Sequence, residues 1–345
     1  MHSRYPAKIM DRQALSDIAK TLVAPGKGIL AADESTKTIK KRFDTIGIES
    51  NPENNRIYRQ LLFTTQGVEE YISGVILYNE TIRQATDEGV PFPKLLAEKG
   101  ILPGIKVDAG TVDLVNFPGE KYTEGLDGLR ERLTEYAQMG AKFSKWRSVI
   151  TINGDTPTSP AIDISAVNLA LYAALSQEAG LVPIVEPEVL MDGTHDIKKS
   201  EEVTYQTLKV VFGRLAEYKV DFSGMLLKPN WVHPGKDSGG IVDDGEIAVA
   251  TLGVFREVVP QELPGIVFLS GGDSPEESTG HLNEMNKSTD LPWQLSFSFG
   301  RALQEPVIKA WAGKAENIKN AQNEFLKWAK LNSLARSGKY ENSME

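Results

Sequence analysis

Short apolar runs recur along this chain, and each closes on a polar or charged residue before a stretch with helical spacing begins. The runs are GILAAD at 28–33, YISGVILYNE at 71–80, LPGIKVD at 102–108, AKFSKWR at 141–147, LVPIVEPEVL at 181–190, GMLLKPN at 224–230, GIVFLSGGD at 265–273 and LSFSFGR at 295–301. Between them apolar residues return every three or four positions, as in Leu15, Ile18, Ala19 and Leu22 of 11–23, or Leu126, Leu129, Leu133 and Tyr136 of 125–139. Further helices are predicted over 52–67, 161–179, 197–218, 245–259 and 275–287, with a basic helical turn at 34–43 and two more helical segments at the end. A Pro-rich connection through Pro91 and Pro93 follows the second run. Eight buried strands separated by helical segments predict a single-domain α/β chain over residues 1–345, a (β/α)8 TIM barrel. An open doubly wound sheet would alternate similarly, but no strand runs into G-x-G-x-x-G. The polar tail from Arg336, about 337–345, reads as frayed.

Within this pattern the run at 224–230 is the most pointed. Its apolar strand leads straight into Lys228, and Pro229, lacking an N–H, stops the ladder there. An ammonium is rarely buried inside a sheet, so the strand should deliver Lys228 at its carboxyl end, where a barrel keeps its chemistry. Other strand ends carry Asp33, Lys106, Lys145 with Arg147, Glu186 with Glu188, Ser270 and Arg301. A closed parallel barrel would bring all of these to one rim. So many ionisable groups on one concave face are costly without an anionic ligand.

A lysine nucleophile needs its pKa brought down from about 10.4 to act at neutral pH. A neighbouring cation such as Lys145 or Arg147, with partial burial, is expected to do so. A protonated imine between that lysine and a ketone draws electrons from the adjacent carbon bond, which opens carbon–carbon cleavage and formation. The turn LSGGD at 269–273 and SFGR at 298–301 are positioned to build the phosphate site that barrels often place after their last two strands.

Composition narrows the classes. A net charge of -9 argues against a general nucleic-acid binder. The absence of cysteine excludes thiolate nucleophiles and Cys-ligated zinc. His2, His195, His233 and His281 show no metal-ligand spacing, so neither a metal nor another cofactor is expected. No apolar run approaches membrane-spanning length and none resembles a signal peptide, so a cytoplasmic protein without a membrane partner is expected.

GILAADEST at 28–36, GIKVD at 104–108, KWR at 145–147, IVEPE at 184–188, LLKPN at 226–230, LSGG at 269–272 and SFGRALQ at 298–304 together closely resemble class I fructose-bisphosphate aldolases, from about Leu15 to Tyr340. The resemblance implies reversible cleavage of fructose 1,6-bisphosphate to dihydroxyacetone phosphate and glyceraldehyde 3-phosphate through a lysine Schiff base. It implies Lys228 as the imine-forming lysine, Glu186 as its proton-transfer group with Glu188 tuning charge, and Asp33 as the acceptor at the hydroxyl whose alkoxide expels the aldehyde. Lys145 would give electrostatic support, and Arg147 would help hold substrate. Ser270, Gly271, Gly300 and Arg301 resemble the ketone-side phosphate site, and Ser35, Thr38 and Lys106 the distal one. Lys40, Lys41 and Arg42 read equally as a solvated helix face, and Arg42 is the one to test.

The phosphorylated sugar is the expected partner, and many relatives are homo-tetramers, although no interface is evident in the sequence. The long-tailed members end in a tyrosine that reaches the site, whereas Tyr340 matches only their GKY portion. Proton exchange at the enamine carbon is therefore expected through solvent or Glu186. Two rivals stay open at this level, a related aldolase acting on sedoheptulose bisphosphate and a scaffold that kept the barrel for partner binding.

Overall fold

The computed structural model describes residues 11–345. His2 and the first residues of the N-terminal stretch lie outside them. Ten strands follow in chain order: β1 (Gly28–Ala32), β2 (Ile72–Leu77), β3 (Leu102–Lys106), β4 (Gly110–Asp113), β5 (Lys121–Glu124), β6 (Phe143–Ile150), β7 (Val182–Val189), β8 (Leu226–Leu227), β9 (Gly265–Phe268) and β10 (Gln294–Phe299). Eight of them close a parallel barrel in the order β1-β10-β9-β8-β7-β6-β3-β2, while β4 and β5 pair only with each other. Long helices such as Ser159–Glu178 and Ile197–Glu217 pack outside it.

The interior is layered. Ile29, Ile76, Phe143, Val182, Ile184, Leu226 and Val267 point inward and form one apolar cluster with Leu15, Ala19 and Leu22 of the first helix, Arg12–Leu22, which plugs the amino-terminal end. A side chain at Gly104 would run into the Phe143 ring, so the glycine makes room for the large residue. Above this layer the inward positions are charged. Shape and dispersion fill the lower barrel, leaving the carboxyl rim for chemistry.

Three features depart from the sequence reading. The Pro-rich connection after β2 holds a helix, Phe92–Glu98, with Pro93 in its first turn, where a missing N–H costs nothing. The antiparallel β4-β5 hairpin interrupts the simple alternation; its strands are half-exposed and too short to show a periodic pattern. The third is the tail, which is anchored rather than frayed through residue 340. Arg336 is buried and donates to the carbonyls of Leu295 at 2.9 Å, Lys27 at 2.5 Å, Val23 at 3.2 Å and also Ala24. One planar guanidinium thus hydrogen-bonds several backbone oxygens at the amino-terminal rim. Tyr340 is buried as well, its backbone N–H donating to Asn283 Oδ1 at 2.9 Å.

Candidate active site

β8 has only two residues, but the ladder continues one step further through the Lys228 N–H, which donates to the Val185 carbonyl of β7 at 2.8 Å. That bond fixes the Lys228 backbone beside β7, and Pro229 then ends the strand. Lys228 Nζ lies 3.2 Å from Glu186 Oε1. Glu186 Oε2 lies 3.2 Å from Lys145 Nζ, and Lys145 reaches Asp33 Oδ2 at 2.8 Å. Four side chains from β6, β7 and the ends of β1 and β8 thus form a line of alternating charge, in which both lysines and Glu186 are buried.

Burial alone would favour the neutral acids, but Lys145 and Lys228 outweigh it and hold the Asp33 and Glu186 carboxyls below the usual carboxylate range. Burial also works against charge on Lys145, and Asp33 with Glu186 overcomes it, raising that ammonium above the ordinary lysine value. At neutral pH Lys145 therefore rests as a cation and the two acids rest as anions. The sequence reading assigned the activation of Lys228 to a neighbouring cation, Lys145 or Arg147. The structure instead inserts the Glu186 carboxylate between the two lysines, because β7 lies between β6 and β8.

Arg147 is ion-paired with Glu188, whose β7 position is two residues beyond Glu186. Arg147 also lines a cavity of about 590 Å³ together with Thr38, Lys41, Arg42, Gly271 and Arg301. Gly271 has φ +51°, a left-handed conformation that glycine adopts without strain. Arg301 Nη2 donates to the Gly271 and Asp273 carbonyls at 3.3 Å each, so the cation is tied to the turn carrying buried Ser270. Arg301 opens the helix Arg301–Trp311, and Gly300, its N-cap, offers no side chain to cap the free N–H groups. Ser35 and Thr38 share a hydrogen bond at 3.1 Å.

Lys106 is not in this cavity. Its ammonium is held by Asp108 Oδ1 at 2.5 Å, and it lines a neighbouring cavity of about 650 Å³ beside the β4-β5 hairpin. The basic turn also divides: Lys40 pairs with Asp44 at 2.8 Å on the exposed face, whereas Arg42 pairs with buried Glu34 at 2.8 Å.

Several residues around the site escaped the sequence reading. Glu34 accepts from Arg59 Nη2 at 2.6 Å and from Gln304 Nε2 at 2.8 Å, which ties the end of β1 to the SFGRALQ segment. An acid following Asp33 gives no sign that it is buried among two arginines. Ser298 of β10 presents a buried hydroxyl without a hydrogen-bond partner among the described residues. Two of the scattered histidines also meet, His233 and His281, on either side of Asp273.

The family model described as fructose-bisphosphate aldolase class-I matches residues 14–345. The chain is 52% identical over 333 residues to a probable fructose-bisphosphate aldolase class 1 of Xanthomonas campestris pv. campestris, covering 96% of this chain and 100% of the relative. It is 53% identical to fructose-bisphosphate aldolase 5, cytosolic, of Arabidopsis thaliana, covering 93% of this chain and 90% of that one. Among solved structures, fructose-bisphosphate aldolase from Plasmodium falciparum, in a ternary complex with TRAP and a small-molecule inhibitor, superposes with a TM-score of 0.96 at 46% identity, covering 99% of this chain and 100% of the other. Barrel, charged rim and full-length similarity agree, and the chain belongs to the class I fructose-bisphosphate aldolase family.

Proposed function

We propose that this chain performs its family's aldol cleavage of fructose 1,6-bisphosphate through an imine at Lys228. The observation that carries the reading is the charged line Lys228, Glu186, Lys145, Asp33, buried but for the half-buried Asp33. Imine formation requires Lys228 to give up a proton, and Glu186 at 3.2 Å is placed to take it. The amine adds to the ketone carbon, and the proton returned by Glu186 to the adduct's hydroxyl lets water leave. Asp33, held as a carboxylate, accepts the proton of the hydroxyl on the second carbon from the imine carbon. Those oxygen electrons form the aldehyde carbonyl as the carbon–carbon bond breaks into the protonated imine, leaving an enamine. The Lys145 ammonium compensates negative charge throughout. Proton return to the enamine carbon, followed by water addition, restores the lysine.

Ser270, Gly271, Gly300 and Arg301, with the open helix amino terminus, suit the phosphate next to the ketone. Ser35, Thr38 and Arg42 suit the distal phosphate, with Arg147 between the two and Glu188 holding it. Lys106 joins them only when a phosphate draws its ammonium away from Asp108.

Among the described residues no helix is long and apolar enough to cross a membrane. Together with the description of the plant relative as cytosolic, this supports a cytoplasmic site of action.

Borohydride reduction in the presence of dihydroxyacetone phosphate, followed by peptide mass mapping, tests the mechanism. A stable adduct on Lys228, formed equally in excess chelator, is expected. No adduct, or one on Lys106 or Lys145, overturns it.

A further inference from the structure

We propose that His233, Asp273 and His281 form a binding site for a single divalent cation of borderline character, Zn2+ being the best match to the donor set. His233 follows the Lys228 strand end, Asp273 closes the turn after β9, and His281 projects from the helix Pro275–Met285. Folding brings one candidate ligand atom from each residue within 4.8 Å of the others.

The hydrogen bonds on the far side of each ring set the tautomer. His281 Nδ1 is 2.8 Å from Asp244 Oδ1, and His233 Nδ1 is 2.5 Å from the Pro234 carbonyl. Both partners are acceptors, so each Nδ1–H donates behind the ring and each Nε2 is turned towards Asp273. A carboxylate or carbonyl behind a histidine is the arrangement that orients metal-binding imidazoles.

The Nε2 atoms stand 4.0 Å and 3.9 Å from the two Asp273 oxygens, one facing each. A tetrahedral ion with bonds near 2.1 Å holds its ligand atoms about 3.4 Å apart, so side-chain rotation must draw the three together from separations of up to 4.8 Å.

Burial supplies an independent observation. His281 is 5% exposed and Asp273 4% exposed, and His281 Nε2 has no hydrogen-bond partner although it is buried. A cavity of about 20 Å³ lies against His233 and Asp273, enough for an ion or one water. The ion would not enter the imine chemistry. It would brace the turn in which the Asp273 N–H donates to the Ser270 carbonyl at 2.9 Å.

Titration of the chelator-stripped full chain with ZnCl2, by calorimetry and by thermal unfolding, tests the site. The expected result is one equivalent bound and a raised Tm. His233→Gln and His281→Gln should each weaken that binding by at least about tenfold, and Asp244→Asn, behind the ring, by about tenfold. His233 is partly exposed, so its variant should keep the fold if the buried His281 variant does not. Imine trapping at Lys228 in the stripped protein verifies that the barrel is intact. Failure to bind stoichiometric zinc, or undiminished binding by His233→Gln, overturns the proposal.

Discussion

Glu186 and Lys228 stand 3.2 Å apart across neighbouring strands, and the second oxygen of Glu186 stands 3.2 Å from Lys145. In the proposed mechanism one carboxylate therefore serves a lysine that must lose its proton and a lysine that must keep it. Glu186→Gln removes the proton acceptor and leaves Lys145 with Asp33 as its near counter-ion. Turnover should fall about a hundredfold or more, with slower borohydride trapping at Lys228. Pre-steady-state trapping at fixed substrate measures this, and an unchanged trapping rate would exclude Glu186 from imine formation.

Arg301 and Arg42 line the same cavity, whereas Lys40 faces solvent beside Asp44. Arg301→Ala should raise KM for the bisphosphate by about tenfold or more, as expected for a lost charge-assisted hydrogen bond to phosphate. Arg42→Ala should act in the same direction, and Lys40→Ala should leave KM unchanged. Steady-state kinetics on the three variants decide whether the basic turn binds substrate or is only a solvated face.

The carboxyls of Asp33, Glu34 and Glu186 all lie below their ordinary values. Burial opposes each shift, and the neighbouring lysines or arginines outweigh it. A depressed folded pKa contributes stability that is complete above the unfolded value, near pH 4, and is lost as pH falls through the folded value. Urea midpoints should therefore hold between about pH 7 and pH 5 and decline below about pH 4. Glu34→Gln should flatten that decline, and a slope unchanged in the variant would remove Glu34 from the account.

Arg336 closes the amino-terminal rim through carbonyls of two separate segments, the loop 23–27 and the start of β10. Arg336→Met removes the guanidinium's hydrogen bonds to these carbonyls and should cost about 3 kcal/mol of stability. The kcat of the folded variant should match that of the unaltered chain, because the rim is opposite the chemistry. Equal denaturation midpoints for the two proteins would show that the tail is not anchored in solution.

The sequence by itself determined the architecture and named the candidate reacting groups. Eight apolar runs separated by helical spacing leave few topologies, and a run that passes from Leu227 to Lys228 and stops at Pro229 marks its own polar end. Seven ordered motifs did the rest, because their resemblance to one family tied residues to roles that spacing could not assign. Only the tertiary structure decided which charges touch. That Glu186 separates Lys145 from Lys228, that Asp108 captures Lys106, that Glu34 sits between Arg42 and Arg59, and that His233 meets His281 all depend on strand order and side-chain reach. Electrostatic energies change over a few ångströms, whereas local sequence patterns report only the face and the end of an element. The same reason explains the misread tail: Arg336 looks solvent-bound in sequence, and becomes buried because carbonyls distant in the chain converge around it.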